Sequence, residues 1–312
     1  MSVPRESGLF RGVCASTVTT SDGHGRLSLQ RLKPHIDWLI ADGADAISPL
    51  GSTGEFFAHE TADRKRVLEG AIDACDGRVP VIAGTHHYST RLTVGLSKHA
   101  ERAGADALLI VPPYYARPTI GQVKDHYRRV AEAVSIPIVL YHNVAGTSID
   151  LQTADLIELF EEGAIAGVKM SNREPDRICE LLQGTEGRLA VYAGLDLVAF
   201  EGLCHGAHGW ISGIPSTVPG AARRLYDAIA VRGDLDDARR QWERLAPLMR
   251  MLFGAFIHGG EGPQWLSVMY AALNLVGPAV GDPQRPVLPL GSEHRDRLRS
   301  ILRDLGYAVA RG

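Results

Sequence analysis

Gly43-Ala44-Asp45-Ala46-Ile47 returns as Gly104-Ala105-Asp106-Ala107-Leu108 and, more loosely, as Gly206-Ala207-His208-Gly209-Trp210. In each phrase a glycine stands where a helix should stop, and an apolar run begins at once. Glycine takes the left-handed conformation that closes a helix without the penalty a Cβ carries, so the chain can turn straight into a strand. Repeated helix–glycine–strand junctions are the mark of βα units. Working outward from them, strands are predicted at 12–18, 44–49, 79–84, 105–111, 136–141, 165–170, 189–193 and 209–212, with helices such as 28–41, 61–75 and 90–103 between. The inner strands are continuous apolar runs, Ala107-Leu108-Leu109-Ile110-Val111 for example, which suit a parallel sheet covered on both faces. Parallel crossovers are right-handed, and units of this number close most economically into a (β/α)8 TIM barrel. An open doubly wound sheet is the alternative, but no G-x-G-x-x-G follows the first strand.

Beyond the last unit the pattern is helical only, over 234–253, 264–276 and 292–305, with a Pro- and Gly-rich link at 277–291. This divides the chain into a barrel over residues 1–230 and a C-terminal helical extension over 231–312, packed on the barrel as part of one functional unit. Hydrophobic residues make up 45% of the 312 and charged residues 22%, an ordinary globular balance that can fill a large core. A net charge of −3 gives no electrostatic reason to expect nucleic acid or an anionic membrane as a partner. No apolar run approaches the roughly 20 residues that span a bilayer. The start, Met1 to Arg11, lacks the apolar segment of a secretory signal. Cys14, Cys75, Cys179 and Cys204 are far apart with no C-x-x-C pair, and read as reduced, mostly buried thiols. A cytoplasmic protein is expected.

The lysines are five: Lys33, Lys65, Lys98, Lys124 and Lys169. Four fall in predicted helices among polar neighbours. Lys169 alone falls in a strand, Ala166-Gly167-Val168-Lys169-Met170. A buried ammonium is costly unless paired or neutralised, so either an ion pair, a stem that reaches the surface or a chemical role must account for it. Its place near the carboxyl end of the sixth strand favours chemistry, since barrel enzymes carry their sites there. Desolvation would lower the amine pKa and expose a nucleophilic lone pair able to form an iminium with a ketone. That electron sink permits C–C bond making or breaking beside it.

Such chemistry needs a proton shuttle and a carboxylate site. Tyr141 ends the neighbouring fifth strand, within reach of the amine. Gly51-Ser52-Thr53-Gly54-Glu55 follows the second strand. Its glycines allow a sharp turn that presents N–H groups, and its hydroxyls add donors. Taken singly, the tyrosine could be plain packing and the cluster an ordinary loop. A phosphate loop is disfavoured because the Walker lysine is missing.

In combination, Gly51-Ser52-Thr53-Gly54-Glu55, Pro112-Pro113-Tyr114-Tyr115 with Pro118, Tyr141 followed by Thr147, and Gly167-Val168-Lys169 resemble the dihydrodipicolinate synthase / N-acetylneuraminate lyase family of class I aldolases. The resemblance runs from Gly12 to about Leu305. It implies that Lys169 is the Schiff-base lysine and Tyr141 the proton-transfer phenol. Ser52 and Thr53 would hold the carboxylate of pyruvate or another 2-oxo acid, with Thr53 also relaying to Tyr141. Tyr115 would complete a proton relay from a neighbouring subunit, and Gly194 and Ile211 would line the site with backbone groups. The family further implies a homotetramer of two tight dimers, an aldehyde as the second partner, and no metal or organic cofactor.

The departures bear on substrate. Where the family commonly reads Tyr-Asn-x-Pro-x-x-Thr-Gly, this chain reads Tyr141-His142-Asn143-Val144-Ala145-Gly146-Thr147-Ser148. Gly146 stands in place of the arginine that grips the second substrate's carboxylate in dihydrodipicolinate synthases. Asp196 is followed by Leu197, so half the Asp-Glu pair of sialate lyases is gone. The expectation is therefore a pyruvate-dependent carbon–carbon lyase that is neither a true dihydrodipicolinate synthase nor a sialate lyase. His86, His87 and His142 are candidates for an unusual polar wall, His142 as a substrate contact. The alternatives are a Schiff-base dehydratase or deaminase acting on a 2-oxo sugar acid or hydroxypyrroline carboxylate, a metal-dependent barrel enzyme, and a non-catalytic ligand sensor. The metal reading lacks an H-x-H in the first strand. The sensor reading does not explain Lys169, Tyr141 and Thr53 occurring together.

Overall fold

The glycine junctions close as expected: Gly43, Gly104 and Gly206 have φ of 116°, 97° and 98°. The third residue of each phrase adds something the pattern did not disclose. Asp45 Oδ2 accepts from the Val13 N–H at 2.9 Å, Asp106 Oδ2 from Val81 at 2.8 Å, and His208 Nδ1 from Val191 at 3.3 Å. Each clamps the entry of the preceding strand, satisfying a backbone donor that would otherwise be buried without a partner.

The computed structural model describes residues 9–257 and 262–310. The first half runs β1 (Gly12–Ser16), α1 (Leu29–Ala41), β2 (Ala46–Ser48), α2 (Thr61–Cys75), β3 (Ile82–Gly84), α3 (Thr90–Ala103), β4 (Ala107–Ile110) and α4 (Ile120–Ala131). The second half continues with β5 (Ile138–His142), α5 (Val144–Thr147), α6 (Thr153–Glu161), β6 (Gly167–Met170), α7 (Asp176–Gly184), β7 (Ala190–Ala193), α8 (Ala199–Cys204), β8 (Gly209–Ser212), α9 (Gly213–Thr217) and α10 (Pro219–Tyr226). The helices α11 (Leu235–Ile257), α12 (Trp265–Val276) and α13 (Ser292–Asp304) complete the chain.

All the strand pairs are parallel, in the order β2-β1-β8-β7-β6-β5-β4-β3. A parallel bridge between Ile47 and Val81 joins the two ends of that series, and the sheet becomes a nearly closed (β/α)8 TIM barrel. The strands are shorter than their apolar runs, three to five residues each. The apolar runs continue past the ladder because their ends are covered too: Ala105 and Val111 flank β4 and are both buried. Helices α2 and α3 have the predicted bounds. Cys14 and Cys75 are buried, but Cys179 is half-buried and Cys204 exposed. Among the described residues no helix is long and apolar enough to cross a membrane. The reading of the chain's start falls mostly on residues 1–8, outside the described residues.

Several histidines are sealed between barrel and helices. Burial pushes the imidazole of His35 down to about 3 and that of His126 to about 4, and burial with the nearby Arg11 cation does the same to His208, to about 4. Unfolding restores an ordinary value of about 6.5. Above that pH neither state is protonated, and below it the unfolded chain takes up protons that the folded chain refuses. Stability is therefore lost as pH falls from the unfolded value toward the folded ones, by up to about 1.4 kcal/mol per pH unit for each histidine. The urea midpoint should decline steadily between about pH 6.5 and about pH 4.5. His35→Leu should flatten the decline, since both its ring nitrogens lack partners. A midpoint unchanged across that range would mean these imidazoles are not held neutral.

Candidate active site

The β5–β6 ladder pairs Tyr141 directly with Lys169. Side chains alternate across a strand, so this register turns both residues to the same face. The Lys169 ammonium lies 3.8 Å from the centre of the Tyr141 ring, and both residues are buried. Burial raises the Tyr141 phenol, but the Lys169 charge and hydrogen bonds with Ser52, Lys169 and Ser171 outweigh it, leaving the phenol below its ordinary value. A phenol so placed gives up its proton more readily than a free one.

Of the two hydroxyls in the loop after β2, it is that of Ser52 that bonds the phenol. Thr53, to which the relay was assigned, lines the same cavity one residue on. Neighbours in a tight loop point different ways, and residue type alone does not tell which of them turns toward β5. The loop itself is sharply bent. Leu50 and Glu55 on either side have φ of 61° and 50°, in the left-handed region. A Cβ on Gly54 would sit 2.7 Å from the Leu50 nitrogen and 3.0 Å from the Thr17 carbonyl oxygen, so no larger residue fits there. Glu55 is fully buried and anchors the bend. Its Oε2 is 2.6 Å from the Tyr270 hydroxyl on α12, and its Oε1 accepts from the Gln284 N–H at 2.8 Å. Burial raises this carboxyl above its usual value despite both hydrogen bonds.

These groups open on one cavity of about 740 Å³. Lys169, Tyr141, Ser52, Thr53 and Gly194 all line it. Ile211, expected to offer a backbone group, is not among the lining residues, whereas the adjacent Ser212 and Gly213 are. Nor is Tyr115 a lining residue: it is 81% exposed, its ring tilted at 52° to that of Tyr88 with the centroids 5.8 Å apart, while Tyr114 lines the cavity.

The polar wall of histidines is corrected by the structure. His142 follows Tyr141 on the strand and so faces the other way, between barrel and helices. It is fully buried, with Nε2 3.3 Å from Asp150 Oδ1, and burial together with Arg177 pushes its imidazole down to about 4. His86 is buried behind the lining, its Nδ1 accepting from the Val111 N–H at 2.8 Å and its ring centroid 4.6 Å from that of Phe56 and 6.3 Å from that of Tyr141. His87 Nδ1 accepts locally from the Ser89 N–H at 3.0 Å. None of the three lines the cavity.

Three site residues escaped the sequence reading. Ser171 bonds the phenol and donates to the Gly194 carbonyl at 2.7 Å, Asn143 Nδ2 lies 3.3 Å from the phenol oxygen, and Tyr114 lines the mouth. A signal for the first two was present. Ser171 is two residues beyond Lys169 and Asn143 two beyond Tyr141, the spacing that keeps side chains on one face of a strand. No group of three or more His, Cys, Asp or Glu able to hold a metal occurs among the described residues.

Comparison with known proteins follows the same lines. The model of the dihydrodipicolinate synthetase family matches residues 9–305. The chain belongs to that family. Its members are lyase-type enzymes. It is similar to the 4-hydroxy-tetrahydrodipicolinate synthase of Azoarcus sp. (strain BH72), 33% identical over 96% of this chain and 99% of that one. Among solved structures it is similar to dihydrodipicolinate synthase from Aquifex aeolicus, with a TM-score of 0.87 and 28% identity over 97% of this chain and 100% of that one. It is equally similar to YagE, a prophage protein of the dihydrodipicolinic acid synthase family from E. coli K12 in complex with pyruvate, with a TM-score of 0.87 and 28% identity over 96% and 99% of the two chains. These names lend no support to excluding the synthase reaction, an expectation that rested on Gly146, nor do they favour a dehydratase or deaminase.

The cavity floor makes one demand on stability that can be measured. A Cβ on Gly194 would press on Ser171 Oγ and lie 2.8 Å from both Lys169 Cγ and the Met170 carbonyl oxygen. Gly95, inside α3, has nothing within 4 Å. Gly194→Ala is expected to destabilise by about 1–3 kcal/mol through overpacking. Gly95→Ala should stabilise by about 0.5–1 kcal/mol through helix propensity alone. Denaturant curves for the pair decide it, and equal shifts would mean the floor is not tightly packed.

Proposed function

We propose that this protein is a class I aldolase in which Lys169 forms a Schiff base with pyruvate or a close 2-oxo acid, making or breaking a C–C bond to an aldehyde. The observation that carries the proposal is the Lys169 ammonium held 3.8 Å from the Tyr141 ring in a cavity whose neighbouring loop offers Ser52 and Thr53. Once Lys169 has given up its proton, its Nζ adds as the free amine to C2 of pyruvate, and loss of water from the carbinolamine leaves an iminium. Removal of a C3 proton gives an enamine, which adds to the aldehyde carbon. The new alkoxide takes a proton, and hydrolysis of the iminium returns the lysine and a 4-hydroxy-2-oxo acid. The reverse sequence cleaves that acid. The lowered phenol of Tyr141, bonded by Ser52, suits it to move protons at the carbinolamine and at the alkoxide. Ser52 and Thr53 meet the 2-oxo-acid carboxylate. The YagE structure, with pyruvate bound, supports pyruvate as the common substrate. Tyr115, exposed on its own chain, would reach a site only across a subunit interface, as the family's homotetramer implies.

Borohydride added with pyruvate should fix one reduced adduct per chain on the peptide that contains Lys169, and Lys169→Ala should abolish it. An adduct that survives in the variant, or that maps to Lys98 or Lys124, sinks the mechanism.

Tyr141→Phe should lower kcat by about 10²–10⁴, the contribution of a positioned proton-transfer group. Trapping should be slowed but not lost, because water can stand in during imine formation. Turnover within about threefold of the parent, far less than such a group supplies, would reduce Tyr141 to a packing role.

A further inference from the structure

The Schiff-base end occupies only the floor of the cavity. From α11 and α12 the cavity is lined by Leu252, Phe253, Trp265, Leu266 and Met269, and Phe57, 55% exposed in the segment after β2, lines it too. An exposed phenylalanine at the mouth of an apolar wall costs solvation unless something covers it. The cavity also has polar lining groups, several of them engaged in hydrogen bonds within the protein. Asp150 and Glu174 both accept from Arg177, at 2.8 and 3.0 Å, and Asn172 donates to Glu174 at 3.0 Å. Asn143 Oδ1 accepts from the Gly146 N–H at 3.1 Å, and Gln264 Oε1 caps α12 at the Leu266 N–H, 2.6 Å away.

Gly146 completes the picture. A Cβ there would lie 2.8 Å from Asn143 Nδ2 and 3.2 Å from its Cγ. The Asn143 amide therefore fills the path that a longer side chain at 146 would take toward the phenol. Position 146 offers an incoming aldehyde no charge, and its surroundings leave little room to supply one.

We propose that the second substrate is an aldehyde bearing an apolar, aryl-sized group, seated on the wall formed by Phe57, Phe253, Trp265 and Met269. This rests on the Schiff-base reading of the floor and extends it to the acceptor. A polyhydroxylated aldehyde would bring donors and acceptors to a wall that cannot pair them, and leaving them unpaired is unfavourable. An aromatic ring loses nothing there and covers Phe57. Among the described lining residues the cations are Lys169 and Arg173, so a carboxylated aldehyde has Arg173 as its one candidate partner beyond the imine.

The experiment takes the whole enzyme with pyruvate and compares benzaldehyde, glyceraldehyde and aspartate semialdehyde, following product by mass spectrometry, after borohydride trapping has been scored on the same preparation. Benzaldehyde should give the highest kcat/KM, by at least about tenfold, the lower end of what an apolar pocket discriminates. Phe57→Ser and Trp265→Ala should each bring the benzaldehyde-to-glyceraldehyde ratio down toward one. If the adduct forms on Lys169 but benzaldehyde turns over no faster than the other two, or not at all, the acceptor assignment is overturned and the Schiff-base reading stands. Efficient turnover of aspartate semialdehyde that Arg173→Ala abolishes would likewise overturn it, and would return the chain to the synthase reaction. Failure to form the adduct overturns both.

Discussion

Tyr141 and Lys169 meet because the backbone ladder between β5 and β6 pairs them residue for residue, and the ladder between β6 and β7 holds Lys169 level with Tyr192. A strand's side chains alternate with a period of two, so a slip of one residue would turn Lys169 toward the helices and bring Met170 to the cavity. The register is kept by close approach along the strands. A Cβ on Gly167 would lie 3.0 Å from the Ala190 carbonyl oxygen, and one on Gly209 would press on the Gly12 carbonyl. Below them the Asp45, Asp106 and His208 clamps hold the starts of β1, β3 and β7. These positions never touch the cavity, yet the placement of the amine depends on them.

A second dependence runs from the C-terminal helices back to the loop after β2. Glu55 sits in a left-handed conformation at the end of Gly51-Ser52-Thr53-Gly54 and is tied to α12 through Tyr270 and to the following segment through Gln284. A buried carboxylate is tolerable only with such partners. Since α12 also carries Trp265, Leu266 and Met269 into the cavity wall, one helix borders both ends of the site. Movement of α12 would disturb the Ser52–Tyr141 bond as well as the apolar wall.

The barrel was legible because its signals are local and repeated. A glycine that ends a helix, followed at once by an apolar run, needs no knowledge of the rest of the chain, and Lys169 stood out as the one lysine in a strand. Misreadings came where a side chain's direction mattered. His142, expected as a substrate contact, adjoins Tyr141 in β5, and adjacency in a strand is what turns it away. In the loop after β2 it is Ser52 that bonds the phenol, and nothing in the composition of a tight loop tells which hydroxyl reaches a neighbouring strand. The same period-two rule that removes His142 from the cavity would have put Ser171 and Asn143 into it. The apolar wall was out of reach for another reason. Phe57, Phe253 and Trp265 lie on segments far apart in the chain, and only the packing of α11 and α12 on the barrel mouth brings them together.

Gly146 is better understood with Asn143 than alone. Read as a missing arginine, it is a loss. In the structure, Asn143 caps α5 by accepting from the Gly146 N–H while its amide nitrogen approaches the Tyr141 hydroxyl. A side chain at 146 and this placement of Asn143 exclude each other, since the added Cβ would sit 2.8 Å from the amide nitrogen. The glycine thus permits a neutral donor at the phenol in the region where a cation would otherwise enter. A neutral amide steadies the phenol oxygen without adding a second positive charge beside Lys169, whose own charge is what lowers the phenol. A side chain at 146 would therefore displace a neighbour of the proton-transfer group as well as change what the position offers a second substrate.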